Sequence, residues 1–456
     1  MGASAVHRQQ ASFADLFLVN LMDTAMDTCG LHNPLRPGIS RKLTDTISVI
    51  GLDKSGVISY CRGMGRRYEQ THPWLTFEYT PEHSDESLRL GEAFSKCSHL
   101  AGTPLQPNLA ARLAAVYLVK GVAATTAIEG NSLREDEVAQ IIEGKRTLPQ
   151  SQQYLELEVK NVLTVLRGID ADALAHKQFQ ITPQWLSEQN RQILAGLEVA
   201  DHVVPGQYTT NTLIVGTVYR GAPPEDIAYL TERLCNWINT RISNTRNTEM
   251  PREYRFINVV TTAILAHLYF VWIHPFGDGN GRTARALECA ILATSGMIPW
   301  VSSNLLSDYY NRTRELYYRR LADASRKDDV RGFVKYALLG FVEMLREQIA
   351  TVQQMQHEVA WVNYVHEQFN AEPEGSTSKR RRTLLLAMKH LEPTHRSEMR
   401  HLTAELAEMY AGKSDRTITR DVNSLKQMGL IEGDTKSGYI PCTSIIAAFL
   451  PANHHQ

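Results

Sequence analysis

Apolar positions recur at helical spacing along most of the chain from Leu88 onward. "NLAARLAAVYLVKGVAATTAIEG" predicts a helix from about Asn108 to Ile128, and a second is expected to open at Ser132. Ser132 and Glu135 have the S-x-x-E spacing of a capping box, with Glu135, Asp136 and Glu137 well placed for the dipole of that second helix. The pattern changes between Pro205 and Pro224. "GQYTTNTLIVGTVYRGAPP" is rich in Thr, Val, Ile and Tyr and bounded by Gly and Pro, which predicts a short β-hairpin or flap turning at Gly216. Helical patterns then resume in "DIAYLTERLCNWINTRI", "RFINVVTTAILAHLYFVWI", the stretch after Gly281, "DYYNRTRELYYRRLADA", and a long run from Val330 that reads as one helix.

The polar stretch "AEPEGSTSKRRR" marks a linker. Beyond it, "RRTLLLAMKHL", "MRHLTAELAEMY" and "SDRTITRDVNSLKQMGL" predict three helices, and "GLIEGDTKSGYIP" a two-stranded wing. Helix, helix, helix, wing is the order of a winged helix-turn-helix. Residues 1–63 look unlike the rest, and "MGRRYEQTHPWLTFEY" from Met64 reads as a natural beginning. The expected organisation is an extension over 1–63, a helical region over 64–178, a core over 179–350, a helix and linker over 351–378, and the winged unit over 379–450.

Composition narrows this only a little. The chain has 456 residues, 43% hydrophobic and 21% charged, with a formal net charge of −1. That balance disfavours a protein that coats nucleic acid or a membrane surface as a whole. No uninterrupted apolar run approaches the length of a bilayer span, so no membrane partner is expected. The six cysteines are scattered without a C-x-x-C pair, which points to a reduced, soluble, cytoplasmic chain.

The chemistry concentrates in "IHPFGDGNGRTARALECAIL", Ile273 to Leu292. Glycines let backbone N–H groups turn toward an anion, and the helix that follows presents its positive end to the same point. The spacing is neither that of a P-loop nor G-x-G-x-x-G. His274 offers an imidazole at the mouth of the loop, and Asp278 a hard oxygen ligand suited to Mg²⁺ bridging phosphates. Gly279, Asn280 and Gly281 form a candidate anion nest. Arg282 and Arg285, three apart on the new helix, share one side from which to clamp a polyphosphate. Phe276 is expected to anchor the loop in the core.

"HPFGDGNGRTAR" matches the signature H-x-F-x-[DE]-G-N-G-R-x-x-R of the Fic family at every specified position, and the chain resembles that family over roughly residues 64–350. The resemblance implies a mainly α fold with a β-hairpin flap that transfers AMP from ATP to a Ser, Thr or Tyr hydroxyl of a protein target. It makes His274 the base, adds Thr283 to the phosphate-binding turn, and places Tyr318 on the adenine side. Ser325 stands where the resemblance leads one to expect Asn in some relatives. The flap residues Thr212, Leu213, Ile214, Val215 and Gly216 would dock the target by strand addition.

Glu129 raises a separate question. It falls at the C-terminal end of its helix with Gly130 as the cap, where the dipole disfavours a carboxylate by about 0.3–1 kcal/mol. It therefore needs a cationic partner. "TTAIEG" resembles the inhibitory segment [ST]-x-x-x-E-[GN] of Fic proteins, which implies a pairing of Glu129 with Arg285 and an autoinhibited resting state. In some family members the equivalent glutamate helps remove AMP, so a hydrolase stays open, as does a DNA-binding regulator with the core as sensor.

In the C-terminal unit, Lys413, Arg416, Thr417, Thr419 and Arg420 are candidates to meet phosphates or base edges, with Lys379 to Arg382 and Lys436 nearby. Asp415, Asp421, Glu405 and Glu408 dilute that charge. Winged helices also dock proteins or dimerise, so DNA through residues 379–450, a protein partner and a homodimer all stay open.

Overall fold

The computed structural model describes residues 65–81, 85–175, 179–215, 219–245, 249–370, 375–390 and 392–447. The extension expected over 1–63 lies outside them. The described chain is mainly α and falls into two units that divide at 348/349.

The first unit contains α1 (Arg67–Thr71), α2 (Asp85–Gly102), α3 (Pro107–Ile128), α4 (Glu135–Ile142), α5 (Gln153–Leu174) and α6 (Pro183–Ile193). A small antiparallel hairpin follows, β1 (Ile214–Val215) and β2 (Tyr219–Arg220), paired Ile214 to Arg220 and Val215 to Tyr219. Its turn, with Gly216, lies outside the described residues. Next come α7 (Pro224–Thr245), α8 (Arg252–Ile273), α9 (Asn280–Ala293), α10 (Leu305–Arg312) and α11 (Arg314–Arg326). The helix α12 (Val330–Asn370) is a single element of 41 residues in which the two units divide, the continuous helix that the pattern predicts.

Helix α8 is the centre of the core. It packs against α7 and α9, and its residues from Val259 to Phe270 are all buried. Over that stretch no side faces solvent, and apart from Thr261, Thr262 and His267 its circumference is apolar or aromatic. By length and composition α3 and α8 are each sufficient to cross a membrane, contrary to the expectation from uninterrupted runs, but 83% of the apolar window of α8 is buried within the fold. The site residues stand at helix ends around this core: His274 after α8, the glycine loop before α9, and Glu129 after α3.

Two local expectations need correction. The helix after Glu129 starts at Glu135, not Ser132, and its box is closed by Glu137, whose carboxylate accepts the Arg134 N–H at 3.0 Å. The single helix expected over 308–324 breaks at Thr313, whose φ of −115° and ψ of 35° leave the helical region. Its hydroxyl stays on the Tyr309 carbonyl at 2.8 Å and meets Tyr336 Oη at 2.6 Å, partners from an earlier turn and another helix.

The second unit contains α13 (Ser376–Ala387), α14 (Ala404–Tyr410), α15 (Asp415–Gln427), and the antiparallel strands β3 (Ile431–Asp434) and β4 (Gly438–Pro441). Three helices followed by a two-stranded hairpin is the expected order. The stretch expected as helix and linker over 351–378 is not separate from it. Trp361, Val365 and Phe369 of α12 belong to one core with Leu384, Leu406, Ile418, Leu425 and Tyr439, and Ser376 already opens α13.

Candidate active site

His274 ends α8 in the left-handed region, at φ 51° and ψ 59°, a conformation that costs a non-glycine residue about 1–3 kcal/mol and persists only where the surroundings hold it. They do so here. The His274 N–H caps Phe270 O at 2.9 Å, Ala222 N–H bonds Ile273 O at 3.2 Å, and Thr209 N–H bonds Pro275 O at 2.9 Å. The ring Nδ1–H donates to Val271 O at 3.2 Å, so Nε2 carries the lone pair. Burial pushes the imidazole below its ordinary range, and its bond to Val271 with the charges of Glu129 and Asp278 opposes that only in part. The ring is a neutral base near pH 7.

The loop after His274 is built around Phe276 and Asn280. Phe276 is 1% exposed and bridges to Tyr208, as an anchor should. The Asn280 side chain closes a ring on it, accepting from Phe276 N–H at 3.0 Å and donating to Phe276 O at 2.6 Å. Asn280 therefore shapes the loop with its side chain and faces an anion only through its backbone N–H. Gly279 precedes α9 at φ 74°, the left-handed turn that exposes the helix N-terminus. Thr283 has a different task from the one expected. It is fully buried, its N–H and hydroxyl both bond Gly279 O at 2.9 and 2.8 Å, and neither is left for a phosphate.

The guanidinium groups are deeply set. Arg282 donates to Glu158 Oε1 at 2.6 Å and reaches Asp278 Oδ1 at 3.4 Å. Arg285 donates to Glu129 Oε1 at 2.7 Å and Thr125 O at 3.0 Å. The Nε atoms of both are buried with no hydrogen-bond partner among the described residues. Two orphaned cationic donors beside a helix N-terminus suit a polyanion. Asp278 is half exposed, as a ligand must be to share a cation with phosphates.

Glu129 lies inside this same site. A methyl group added at Gly281 would stand 2.4 Å from Glu129 Oε1 and 3.2 Å from Arg285 Nη1. The carboxylate thus rests on the first turn of α9, where the helix N-terminus and Arg285 converge. Burial opposes its ionisation, but Arg285 above all, then Arg282 and Arg314, hold the carboxyl below its ordinary range. Gly130 caps α3 at φ 105°. Tyr318 Oη donates to Ile128 O at 3.1 Å, so its hydroxyl is tied to the end of α3, and Ser325 Oγ bonds Ala322 O within its own helix.

Three residues that carry no motif organise the surroundings. Asn190 of α6, fully buried, donates to Asp278 O at 2.9 Å and accepts from Gly206 N–H at 2.9 Å. Glu158 of α5 holds Arg282, and burial raises its carboxyl against the pull of that cation. Asn131 donates to Glu158 Oε2 at 2.9 Å. At the flap, Thr212 and Ile214 are exposed and Leu213 O accepts from Gly221 N–H at 3.0 Å. A methyl group at Gly221 would stand 3.1 Å from His274 Cβ, so the base of the hairpin lies against the histidine.

In the second unit, Arg380 and Arg381 do not belong to an open basic surface. Asp421, 1% exposed, accepts from Arg380 Nε and Nη2 at 2.8 and 3.1 Å, from Arg381 Nε at 3.1 Å and from Tyr410 Oη at 3.0 Å. Arg416 and Arg420 remain exposed on α15, Lys413 is exposed just before it, and Lys436 is exposed at the hairpin tip. Asp415 is paired with Arg400.

An imidazole base, a glycine turn opening a helix and two convergent arginines define a site for polyphosphate chemistry. The model of the Fic/DOC family matches residues 180–292, the segment that holds the histidine, the glycine turn and both arginines. The chain is 30% identical over 212 residues to protein adenylyltransferase fic-1 of Caenorhabditis elegans, and 27% identical over 209 residues to protein adenylyltransferase Fic of Drosophila melanogaster. Each match covers 46% of this chain and 37% of the relative, so the chain spans well under half the length of these curated relatives. Among solved structures, a Fic family protein from Desulfovibrio desulfuricans aligns with a TM-score of 0.48 and 20% identity over 80% of this chain and 97% of that one. Fic-1 from C. elegans aligns with a TM-score of 0.47 and 23% identity over 59% of this chain and 73% of that one.

Proposed function

We propose that this protein is an adenylyltransferase that moves AMP from ATP to a hydroxyl of a protein target and rests in an autoinhibited state. The observation that carries the reading is the Glu129 carboxylate lying on the first turn of α9 in contact with Arg285. A carboxylate there occupies the ground that phosphate oxygens need, and its withdrawal leaves a helix N-terminus and a buried arginine to receive them.

The target hydroxyl oxygen attacks the α-phosphorus of ATP. His274 Nε2 takes the hydroxyl proton, the bond from the α-phosphorus to the bridging oxygen breaks, and pyrophosphate leaves with the electron pair. Gly279, Asn280 and Gly281 present backbone N–H groups to the phosphates, and Arg282 and Arg285 oppose their charge. Asp278 would hold Mg²⁺, which spreads the phosphate charge when bound. Tyr318 would border the adenine. Thr212 to Gly216 would add the target as a strand, a role supported by the exposure of Ile214 at 65% and by the contact of Gly221 with His274. The reaction belongs in the cytoplasm, consistent with buried, unpaired Cys97, Cys235 and Cys289.

The test is ATP labelled at the α-phosphate, with Mg²⁺, given to wild type, Glu129→Gly, His274→Ala and the double variant. Label on protein with Glu129→Gly alone supports inhibited transfer. Label with none of them, combined with release of AMP from modified protein by wild type, would instead make Glu129 the working group of a hydrolase.

A second reading concerns residues 379–450 and is favoured by the burial of Asp421. The acid that dilutes the charge of α15 in sequence is neutralised internally, and Arg416 and Arg420 face solvent. We infer that α15 contacts duplex DNA. Binding should weaken steeply with salt, and Arg416→Ala with Arg420→Ala should lower the log–log salt slope by about two. A slope near zero for the wild type would overturn it.

A further inference from the structure

Glu158 touches both the glycine loop and the segment that carries Glu129, and the transfer chemistry above gives it no task. Its Oε1 accepts from Arg282 Nη1 at 2.6 Å, and its Oε2 from Asn131 Nδ2 at 2.9 Å. Beyond Arg282, the Nη2 reaches Asp278 Oδ1 at 3.4 Å. Beyond Asn131, the chain is the cap of α3 itself. The Asn131 N–H bonds Thr126 O at 3.1 Å, its Nδ2 also donates to Leu155 O at 3.1 Å, and its Oδ1 accepts from Leu133 N–H at 3.1 Å. Asn131, Glu158 and Arg282 are all buried, at 6, 9–11 and 7–8% exposure by residue or side chain. Buried hydrogen-bonded groups of this kind have few alternative positions, so a change at one is felt by the others.

We propose that Glu158 is a positioning residue that couples the inhibitory segment to the cation-binding side of the loop. Through Arg282 it aims Asp278, and through Asn131 it keeps the end of α3 seated so that Glu129 stays on Arg285. The two arms have different consequences. Glu158→Gln retains an oxygen for Asn131 but removes the charge opposite Arg282. That guanidinium then has Asp278 as the carboxylate it still hydrogen-bonds, and draws it away from a cation. Asn131→Ala leaves the Arg282 arm whole and frees the cap beside Glu129.

The inference rests on the transfer reading, and its test includes measurements independent of turnover. Mn²⁺ binding is followed by the loss of its free-ion resonance in the presence of ATP, using Glu129→Gly, His274→Ala protein with and without Glu158→Gln. Removing a partner that orients a metal ligand costs about 10–100-fold in affinity, and a loss of at least about tenfold is expected. Amide exchange over residues 129–133 is compared between wild type and Asn131→Ala, where it should quicken, and labelling by Asn131→Ala with Glu129 intact should rise severalfold. Unchanged Mn²⁺ affinity in Glu158→Gln, or unchanged exchange in Asn131→Ala, overturns the coupling. Should Glu158→Gln fail to fold, Asn131→Ala decides alone. If no variant binds ATP, the transfer reading is what fails, and exchange over 129–133 still decides whether Asn131 seats the segment.

Discussion

The Glu129 carboxylate on the end of α3 and the Arg285 guanidinium on α9 meet at 2.7 Å, 156 residues apart in sequence. Each relieves a problem of the other. The negative end of α3 disfavours Glu129, and Arg285, 1% exposed in its side chain, needs a counter-charge in a place that water does not reach. Arg285 also donates to Thr125 O, which ties it to the same helix end.

Breaking that pair should cost stability and leave a vacancy for a polyanion. Glu129→Gly leaves Arg285 with Thr125 O alone, and a loss of about 1–3 kcal/mol follows from an uncompensated buried charge. The midpoint of thermal unfolding should fall by several degrees, and saturating ATP should restore more of it for the variant than for wild type. Scanning calorimetry with and without ATP measures both. Equal ATP-induced shifts in the two proteins would mean that Glu129 does not compete with the nucleotide.

The pH dependence follows from His274. Burial lowers its pKa from the ordinary value of 6.5, so the ring loses its proton at a lower pH than a free imidazole and stays a competent base into mild acid. Removing Glu129 takes away one of the charges that oppose the shift, so in Glu129→Gly the acid limb of kcat/KM should lie clearly below pH 6.5. The paired Glu129 is itself held below its ordinary range, so its ion pair supports the wild-type fold at neutral pH and is lost only as pH falls through that lowered value. Inhibition should therefore persist from neutral pH down through the ordinary carboxylate range. An acid limb above pH 6.5 in the variant would show that His274 is not the group being read.

Asn190 should matter to activity although it reaches no reacting atom. It links Asp278 O to Gly206 N–H across 88 and 16 residues of sequence, and so joins the glycine loop to the segment before the hairpin. Asn190→Ala leaves both part-buried backbone groups without that partner and opens a gap where a fully buried side chain stood. In a Glu129→Gly background, labelling should drop by about 10–100-fold, the penalty of a displaced reacting geometry, while far-ultraviolet circular dichroism stays unchanged. Labelling within twofold of the parent would remove Asn190 from the positioning of the loop.

How much of this site could be read in advance depended on how it is spread along the chain. His274, Asp278 and the two arginines fall within twelve residues, where residue types and spacing suffice. Glu129 was visible because a carboxylate at a helix C-terminus is out of place. Glu158, Asn190 and Asn131 were invisible, since each is a polar residue whose partner is set by packing and no period marks it. The same cause hid the fate of Arg380 and Arg381. In sequence they add to a basic run, whereas folding turns them inward onto an acid about 40 residues away. Ser132 misled for a local reason: Arg134 and Glu137 offer a competing box two residues later, and the helix begins there.

Asp421 provides the last prediction. Its two oxygens receive Arg380, Arg381 and Tyr410 in the interior of the second unit, beside the core of Leu384, Tyr410 and Val422. Asp421→Asn keeps the shape but leaves two guanidinium groups without a counter-charge, and such losses cost about 3–5 kcal/mol. That is a large share of what holds a unit of this size together. Amide exchange over 415–427 should rise strongly at neutral pH, and in urea the second unit should lose structure well before the first. Double replacement of Arg380 and Arg381 by Met together with Asp421→Leu removes the charges from both sides and should recover much of the loss, because apolar groups of similar volume need no counter-charge. Recovery would identify the cost as electrostatic. If Asp421→Asn leaves exchange over 415–427 unchanged, the buried ion cluster is not what secures α15.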